Sequence, residues 1–390
     1  FHYEPTSGSS GGKKLIPYNR PLLTAFGDLL ALWCADLEQN GPNLKWGCIY
    51  TSISPAFHEG EFHGLEDDRE YLPWLVRKAL GKRFLTSPTL KKAKTTEEYY
   101  HALATLLLAE PELEVLSFWN PSVLLVLVDY IREHKADFKI SSDSPQEWWP
   151  ELKWVSCWGS GWAENAFRTT QELFPRSLVQ AKGLLATEAP LTFPSIAAQG
   201  FLPLVDSVFY EFEAEDGRML RLDALDVGKT YEIVFSHLGG LYRYRLGDRV
   251  KVTHFYKATP CLEFVGRTQA TCDLVGEKLE ESFVQGCLDR LAPKAFSVLV
   301  PDTSGKTPYY HLLTESSVSA EAWDATLSEA YHYRQARKLN QLGPCRVTQV
   351  ARLNQQYQDY FVSQGIKLGD LKHRSLLGRS QDASHFLGLV

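Results

Sequence analysis

The sequence predicts an α/β protein in which a partly parallel sheet is followed by a β-rich segment and then by a smaller α/β region. Helical and strand-like segments alternate over residues 21–157, strand-like segments dominate after Leu191, and shorter α/β units return further on. A chain of 390 residues is long enough for two or three domains. We expect a large domain over residues 1–267 and a smaller one over residues 268–390, with a hinge near residues 267–278.

The first part of the chain alternates between helix and strand signals. Apolar residues recur at helical spacing over residues 21–38, and Gly41-Pro42 ends the pattern. Thr95 and Glu98 form a capping box, which predicts a helix that ends before Pro111. The other elements predicted here are strands at residues 45–53, 115–119 and 152–157 and a helix behind Pro121.

Beyond Leu191 the predicted elements are mainly strands, and Gly239-Gly240 is a turn signal among them. The predicted strands cover residues 203–212, 230–236, 241–246 and 249–255. The smaller domain is predicted to contain a strand, a helix at residues 279–291, two strands, a helix at residues 320–338, and a final strand and helix.

Composition and charge argue against two classes of partner. The 41 lysines and arginines and the 47 aspartates and glutamates give a formal net charge of −6, whereas duplex-binding proteins carry a basic excess. The longest strongly apolar run, residues 123–128, is far shorter than the ~20 residues that a membrane span needs. We therefore expect neither nucleic acid nor membrane as a partner, and the oligomeric state is left open.

The seven cysteines indicate a reducing compartment. They are scattered, odd in number and include no C-x-x-C pair, so they favour neither a disulfide framework nor a zinc site. The favoured interpretation is small buried side chains in a cytoplasmic protein.

Residues 6–14, Thr-Ser-Gly-Ser-Ser-Gly-Gly-Lys-Lys, have the composition of a phosphate-binding loop. Glycines let backbone N–H groups approach phosphate oxygens, hydroxyls donate hydrogen bonds and lysines neutralise charge. The loop is not a Walker A motif, because the glycine spacing is one residue short and Pro17 follows where a helix would continue. It matches neither the G-x-G-x-x-G nor the G-x-S-x-G pattern. By itself, the loop is equally well interpreted as an ordinary solvated one.

Three further segments change that balance. The loop resembles the phosphate-binding signature of acyl-adenylate-forming enzymes, and Gly183–Glu188, Tyr242–Asp248 and Val265–Thr268 are similar to later signatures of that superfamily, in the same order. Ser7–Tyr18 and Tyr242–Asp248 look specifically like acyl acid amido synthetases of the Gretchen Hagen family, and other stretches resemble its bacterial members. The resemblance implies a large N-terminal adenylate-forming domain, with α/β sheets and a β-barrel-like subdomain, and a small mobile α/β C-terminal domain.

This resemblance implies binding of ATP and Mg²⁺ and assigns roles to individual residues. Glu188 is the implied Mg²⁺ ligand, and Thr187 the implied donor to the α-phosphate. Asp248 would accept both ribose hydroxyls, and Arg267 would contact ribose or phosphate near the hinge. The implied nucleotide-binding set is Ser7, Gly8, Ser9, Ser10, Gly11, Gly12, Lys13, Ala186, Thr187, Tyr244, Asp248 and Arg267.

One position departs from the family pattern. Leu184 stands where many relatives carry an aromatic side chain beside the adenine, so Tyr244 or Phe264 is expected to supply that contact instead.

Two further sets of residues follow from the resemblance. A lysine of the small domain would reach the adenylation site, and Lys372 is the candidate, with Lys367 as the alternative. Trp158 and Trp162 follow a strand that ends near the site in relatives, and both are candidates to line the acyl pocket. The alternative interpretation is a solvated position for the lysines and a core position for the tryptophans.

The expected reaction is ATP-dependent ligation. A small carboxylic acid would be adenylated with release of pyrophosphate, and the acyl group would pass to an amine, for which an amino acid is the expected choice. Two alternatives stay open: an acyl-adenylate-forming enzyme with a thiol acceptor such as coenzyme A, and a nucleotide-binding regulatory protein without catalysis. Because relatives carry further helical sequence ahead of the loop, part of the large domain is expected to precede Phe1.

Overall fold

The computed structural model describes most of the chain, in two compact units. The described residues are 2–5, 14–52, 81, 83–93, 95–160, 163–267, 271–275, 277–305, 307–378 and 381–389. The first unit comprises Phe1–Val265 with Phe361–Leu371, and the second comprises Gly266–Tyr360 with Lys372–Val390. The first break lies beside the predicted hinge, whereas Phe361–Leu371, which the sequence assigns to the small domain, groups with the first unit.

A four-stranded parallel sheet forms one layer of the first unit, in the order β3-β4-β5-β6. The predicted α/β class with a partly parallel sheet is therefore confirmed. Because all four strands run the same way, their carboxyl ends lie at one edge, where open α/β sheets bind ligands. The strands are β3 (Cys48–Thr51), β4 (Leu113–Ser117), β5 (Trp154–Cys157) and β6 (Leu178–Ala181).

Several helices of this unit begin at side-chain caps. The Asn19 side chain accepts a hydrogen bond from the Leu22 amide at the start of the first helix, and Thr95 Oγ1 accepts one from the Glu98 amide, which confirms the predicted N-cap. None of the described helices is long and apolar enough to cross a membrane. The helices are α1 (Arg20–Asn40), α2 (Pro88–Lys92), α3 (Thr96–Leu108), α4 (Pro121–Glu133), α5 (Lys135–Phe138), α6 (Pro145–Trp148) and α7 (Glu164–Leu173).

Short hairpins surround this sheet. Strand β1 pairs antiparallel with β2, β7 with β8, and β9 with β10. The buried side of α1, with Leu29, Trp33 and Leu37, belongs to the same core as β8 and β9. The hairpin strands are β1 (His2–Pro5), β2 (Leu15–Tyr18), β7 (Leu185–Ala186), β8 (Ala189–Pro190), β9 (Thr192–Ser195) and β10 (Gly200–Pro203).

The β-rich segment forms a five-stranded antiparallel sheet in the order β12-β11-β13-β14-β15. The prediction of separate strands at residues 241–246 and 249–255 is wrong, because one strand runs through both. Gly247 has a φ of +79°, and the pairing register shifts between Glu232 and Val234 on the neighbouring strand, so the glycine forms a bulge rather than a turn. The strands are β11 (Val208–Glu213), β12 (Met219–Arg221), β13 (Thr230–His237), β14 (Tyr244–Tyr256) and β15 (Thr259–Arg267).

Alternation along the start of β14 separates two kinds of side chain. The exposed Arg243, just before β14, has its Nε 2.9 Å from Glu211 Oε2, and the exposed Arg245 pairs with Glu213 and lies 3.3 Å from Glu232 Oε1. Tyr244, between the two arginines, packs beside the core. Because Tyr244 and Arg245 are consecutive residues of β14, the period of two in a strand directs their side chains to opposite faces.

The second unit contains a three-stranded sheet of its own. Strand β18 pairs antiparallel with β19, and β19 pairs parallel with β20. The predicted single helix at residues 320–338 is wrong, because two helices occupy it. The Ser328 hydroxyl bonds back to the Asp324 carbonyl at 2.8 Å where the first of them ends, a local bond that competes with helix continuation.

The elements of the second unit are β16 (Thr271–Cys272), β17 (Leu279–Glu280), α8 (Glu281–Leu291), β18 (Ser297–Asp302), β19 (Tyr309–Thr314), α9 (Ala320–Leu327), α10 (Tyr331–Lys338), β20 (Arg346–Gln349), α11 (Leu353–Ser363) and α12 (Gln381–Leu387). Helix α11 extends past the break at Tyr360 into the first unit. Tyr310, Trp323 and Tyr333 are fully buried in the core of the second unit.

Candidate active site

Thr187 and Glu188 form the tip of a very short hairpin. Leu185 pairs with Pro190 and Ala186 with Ala189, so only these two residues lie between the strands. Glu188 is buried, with 8% of its surface exposed. A two-residue tip leaves little backbone freedom, so the direction of the Glu188 carboxylate depends on how the tip is held.

The base of this hairpin requires close backbone packing. A Cβ atom on Gly183 would lie 2.0 Å from the Thr192 carbonyl oxygen, so only glycine fits at this position. The next amide, of Leu184, donates to Thr192 Oγ1 at 2.7 Å. The Leu184 side chain packs against the core of the first unit.

Two side chains from distant segments bind the carbonyl groups at the tip. The buried Tyr18 hydroxyl donates to the Thr187 carbonyl at 2.9 Å. His237 Nε2 lies 2.9 Å from the Glu188 carbonyl, and the Gly239 amide donates to His237 Nδ1 at 2.8 Å. The end of the loop segment and the residues before Tyr242 are therefore both joined to the tip.

The electrostatic state of His237 follows from its burial. Burial lowers the pKa of the imidazole, while the hydrogen bond to the Glu188 carbonyl acts in the opposite direction. The net lowering keeps the ring neutral at neutral pH. The sequence analysis missed both Tyr18 and His237, although His237 stands immediately before the Leu238-Gly239-Gly240 turn.

A chain of hydrogen bonds reaches the Glu188 carboxylate. Lys14 Nζ donates to the Tyr244 hydroxyl at 3.1 Å, and that hydroxyl donates to Glu188 Oε1 at 3.3 Å. Among the described residues, this is the only hydrogen bond that the Glu188 carboxylate accepts. With respect to the described residues, the carboxylate thus keeps most of its acceptor capacity.

The structure places the other predicted nucleotide residues unevenly. Asp248 is 2% exposed and follows the bulge at Gly247, and Ala186 lies in strand β7. The backbone of Arg267 ends β15, and its side chain is not described. The predictions for Ser7, Gly8, Ser9, Ser10, Gly11, Gly12, Lys13 and Trp162 fall outside the described residues.

A second cluster lies at the carboxyl edge of the parallel sheet. Lys182, 8% exposed, follows β6, and its Nζ lies 2.8 Å from Ser117 Oγ and 3.2 Å from Ser156 Oγ. The same ammonium lies 5.0 Å from the centre of the Trp119 ring, which makes an edge contact with Trp158 at 5.8 Å. The sequence analysis missed Lys182, because a lysine at a strand end usually points to solvent.

Lys372 lies in the second unit on a backbone segment that one tyrosine holds. The Tyr357 hydroxyl donates to the Lys372 carbonyl at 3.0 Å and accepts from the Arg374 amide at 3.1 Å. Tyr357 is 1% exposed, and burial raises the pKa of its phenol. Lys367 groups with the first unit, so the two candidate lysines belong to different units.

Two family models match the chain. The GH3 family central domain matches residues 201–267, and the GH3 family C-terminal domain matches residues 277–381. The first match contains Tyr244, Asp248 and Arg267, and the second contains both candidate lysines.

The chain is also similar to curated plant proteins. It is 26% identical over 264 residues to a probable indole-3-acetic acid-amido synthetase GH3.9 of Oryza sativa subsp. japonica, covering 57% of this chain and 59% of that protein. It is 28% identical over 207 residues to the jasmonoyl–L-amino acid synthetase GH3.5 of the same plant, covering 46% of this chain and 35% of that protein. The chain thus spans less than two thirds of these relatives.

Solved structures show the same fold. The AtGH3.15 acyl acid amido synthetase in complex with 2,4-DB aligns with a TM-score of 0.79 at 17% identity, covering 99% of this chain and 81% of that one. A 2-hydroxyisobutyryl-CoA ligase aligns with a TM-score of 0.60 at 16% identity, covering 100% of this chain and 75% of that one. The predicted acyl-adenylate-forming fold is therefore confirmed.

Proposed function

Since the chain belongs to the GH3 family, the Gretchen Hagen family that its motifs resemble, we propose that it is an ATP-dependent ligase that joins a carboxylic acid to an amine. The observation that carries the proposal is the Thr187–Glu188 tip, which is bound to two of the three other predicted nucleotide segments. Tyr18 connects the tip to the loop, and Tyr244 connects it to the segment that ends at Asp248.

In the first half-reaction, a carboxylate oxygen of the acid attacks the α-phosphorus of ATP, and pyrophosphate leaves. Charge on the phosphate oxygens calls for fixed donors and cations rather than a covalent nucleophile. We assign Thr187 as a donor to the α-phosphate, Asp248 to the ribose hydroxyls, Ser7–Lys13 to the phosphates, and Arg267 to ribose or phosphate. Glu188 would hold Mg²⁺, which when bound neutralises phosphate charge; a single carboxylate with spare acceptor capacity suits this hard cation.

In the second half-reaction, the nitrogen of the amine attacks the acyl carbon of the adenylate. The carbon–oxygen bond to phosphate breaks, AMP leaves, and the nitrogen loses a proton to give the amide. We assign Lys372 to the first half-reaction, where its ammonium would neutralise the carboxylate and α-phosphate oxygens. The bond from Tyr357 to the Lys372 carbonyl supports this assignment, because it fixes the backbone from which the side chain extends.

The substrates are a small carboxylic acid and an amino acid. The support is the names of two relatives, one a probable indole-3-acetic acid-amido synthetase and the other a jasmonoyl–L-amino acid synthetase. Trp158, in contact with Trp119, is assigned to the acyl pocket. A cytoplasmic location is part of the proposal; its support is that none of the seven cysteines, each in the described part of the chain, forms a disulfide. Membership of the bacterial branch stays a prediction.

Acid-dependent exchange between pyrophosphate and ATP tests the first half-reaction. A panel of aryl, indole and aliphatic acids is offered with ATP and Mg²⁺, and exchange is expected with at least one class. The products formed with amino acids as acceptors are then compared with those formed with coenzyme A. An amide with AMP release supports the proposal, whereas a thioester would show that the acceptor is a thiol. Tight ATP binding without exchange for any acid would instead support a nucleotide-binding regulatory protein.

A further inference from the structure

The imidazole of His237 makes two hydrogen bonds that determine its tautomer. The Gly239 amide can only donate, and it lies 2.8 Å from Nδ1. The Glu188 carbonyl can only accept, and it lies 2.9 Å from Nε2. The ring therefore carries its proton on Nε2, and both of its nitrogens are used.

The surroundings hold the ring in this orientation. His237 is 5% exposed, and its ring stacks on Phe235 with centroids 5.7 Å apart and planes 10° apart. A Cβ atom on Gly239 would lie 2.4 Å from the His237 Cε1 atom, so the turn packs directly against the ring. Rotation of the imidazole would break both hydrogen bonds at once.

The His237 ring is hydrogen-bonded to the backbone of Glu188, whose carboxylate accepts a single bond from the described residues. The Glu188 carbonyl and side chain share one Cα atom, and the neighbouring Thr187 carbonyl is bound by Tyr18. With both carbonyls fixed, the two-residue tip has a defined backbone, and the Glu188 side chain leaves it in a defined direction.

We propose that His237 is a positioning residue for Glu188: its Nε2–H bond to the Glu188 carbonyl fixes the carboxylate toward the metal–nucleotide complex. The inference rests on the proposed function and deepens it, because it adds an outer support to a predicted metal ligand. Such supports typically change metal affinity or activity by about 10–100-fold when they are removed.

Two amide substitutions separate the bonds that the imidazole makes. His237→Gln can place its amide nitrogen where Nε2 lies and keep the donor to the Glu188 carbonyl. His237→Asn can place its amide oxygen where Nδ1 lies and keep the acceptor for the Gly239 amide, but it is too short to reach Glu188. A role in local stability alone would affect both variants, whereas positioning of Glu188 depends on the Nε2-like donor.

His254 provides a matched control. It lies in the neighbouring strand β14, is half-buried, and its Nε2 lies 2.7 Å from the Ala198 carbonyl, with Nδ1 3.0 Å from Thr253 Oγ1. His254→Asn removes a comparable bond to a backbone carbonyl, that of Ala198, which is not part of the tip. It is expected to change stability without changing metal or nucleotide affinity.

The experiment measures Mn²⁺ affinity in the presence of ATP by electron paramagnetic resonance, the exchange rate at saturating ATP, the KM for ATP, and the unfolding midpoint of each variant. We expect His237→Asn to weaken Mn²⁺ binding about tenfold or more, while His237→Gln stays within about threefold of wild type. Equal affinities in His237→Asn and wild type, or equal losses in both amide variants, would overturn the inference. Absence of exchange in the wild type for every acid would count against the proposed function instead.

Discussion

Two buried or half-buried carboxylates, one in each unit, are used in opposite ways. In the second unit, Asp324 accepts hydrogen bonds from both the Nε and the Nη2 of Arg337, from the Tyr333 hydroxyl at 2.6 Å and from the Cys345 amide at 3.0 Å. In the first unit, the more deeply buried Glu188 accepts one bond of 3.3 Å, from Tyr244, among the described residues.

The difference teaches how to tell a structural acid from a functional one. Both carboxylates lose water on folding. Among the described residues, Asp324 accepts hydrogen bonds from three partners and Glu188 from one, so the bonds of Asp324 offset more of the cost of burial. Glu188 is oriented by bonds to its backbone, while its carboxylate accepts a single bond from the described residues. An acid whose backbone is fixed but whose oxygens have spare capacity is suited to a ligand with positive charge.

Substitution of Glu188 is the strongest way to test this contrast. Glu188→Gln keeps an oxygen for the Tyr244 hydroxyl but removes the charge, so adenylation is expected to fall about 10³-fold, whereas the unfolding midpoint stays nearly constant. Pyrophosphate exchange and urea unfolding measure the two quantities. A variant that unfolds early yet retains exchange would reverse the roles assigned to the two acids.

Substitution of Asp324 should have the opposite signature. Asp324→Ala leaves the half-buried Arg337 and the buried Tyr333 without their partner, so the free energy of unfolding is expected to fall by about 2–4 kcal/mol. Urea unfolding followed by tryptophan fluorescence measures the loss. Glu329→Ala is the control, since Glu329 forms an exposed pair with Arg290 in the same unit and should change stability little. Similar losses in both variants would contradict the assignment.

The pH dependence of stability sharpens the description of Asp324. Burial alone would raise the pKa of this carboxyl, but hydrogen bonds from Arg337, Tyr333 and the Cys345 amide bring it below its ordinary value of 3.8. A pKa that is depressed in the folded state gives stabilisation that is complete above the ordinary value and is lost as the pH falls through the folded one.

The gap in unfolding free energy between wild type and Asp324→Asn should therefore be constant near neutral pH and close below about pH 4. Urea titrations at several pH values measure it. A gap that closes between pH 5 and 7 would show that another group determines it.

The smallest effect is expected on the exposed face of the five-stranded sheet. Arg245 is 53% exposed and pairs with Glu213 and Glu232, so Arg245→Ala should cost less than about 1 kcal/mol and leave nucleotide affinity unchanged. Thermal unfolding and ATP titration check both statements.

The neighbour of Arg245, Tyr244, faces the other way, so Tyr244→Phe should affect Mg²⁺-dependent activity with a similar small change in stability. If the arginine variant instead lost nucleotide binding, the two faces would have been assigned wrongly.

The sequence predicts the fold best where an element is determined by residues close to one another in the chain. The Thr95 cap and the α/β alternation that leads to a parallel sheet are local patterns, and both were confirmed. At Gly247 the sequence predicts the end of a strand, because glycine is typical of turns. Its positive φ, which the sequence does not show, belongs to a bulge within one continuous strand. The bond of Ser328 back to Asp324 likewise has no unambiguous local signal.

The candidate site was predicted through motifs, and its supports were not. Thr187 and Glu188 belong to a recognisable segment, so their position could be proposed from the sequence. Tyr18 and His237 contact that segment from residues 169 and 49 positions away. Their part in the site depends on a tertiary packing that no periodicity or spacing reveals. Lys182 was missed for a similar reason, since its serine partners lie on two other strands.

The fit of Gly239 against His237 has a consequence for which substitutions this protein can accept. A methyl group at position 239 would lie 2.4 Å from one ring atom and 2.5 Å from another, so the two positions are not free to mutate separately. Larger side chains at 239 are expected to survive selection only in genetic backgrounds where residue 237 has become small. The pair should therefore behave as an epistatic unit, and a double-randomised library selected for activity would recover Gly239 whenever it recovers His237.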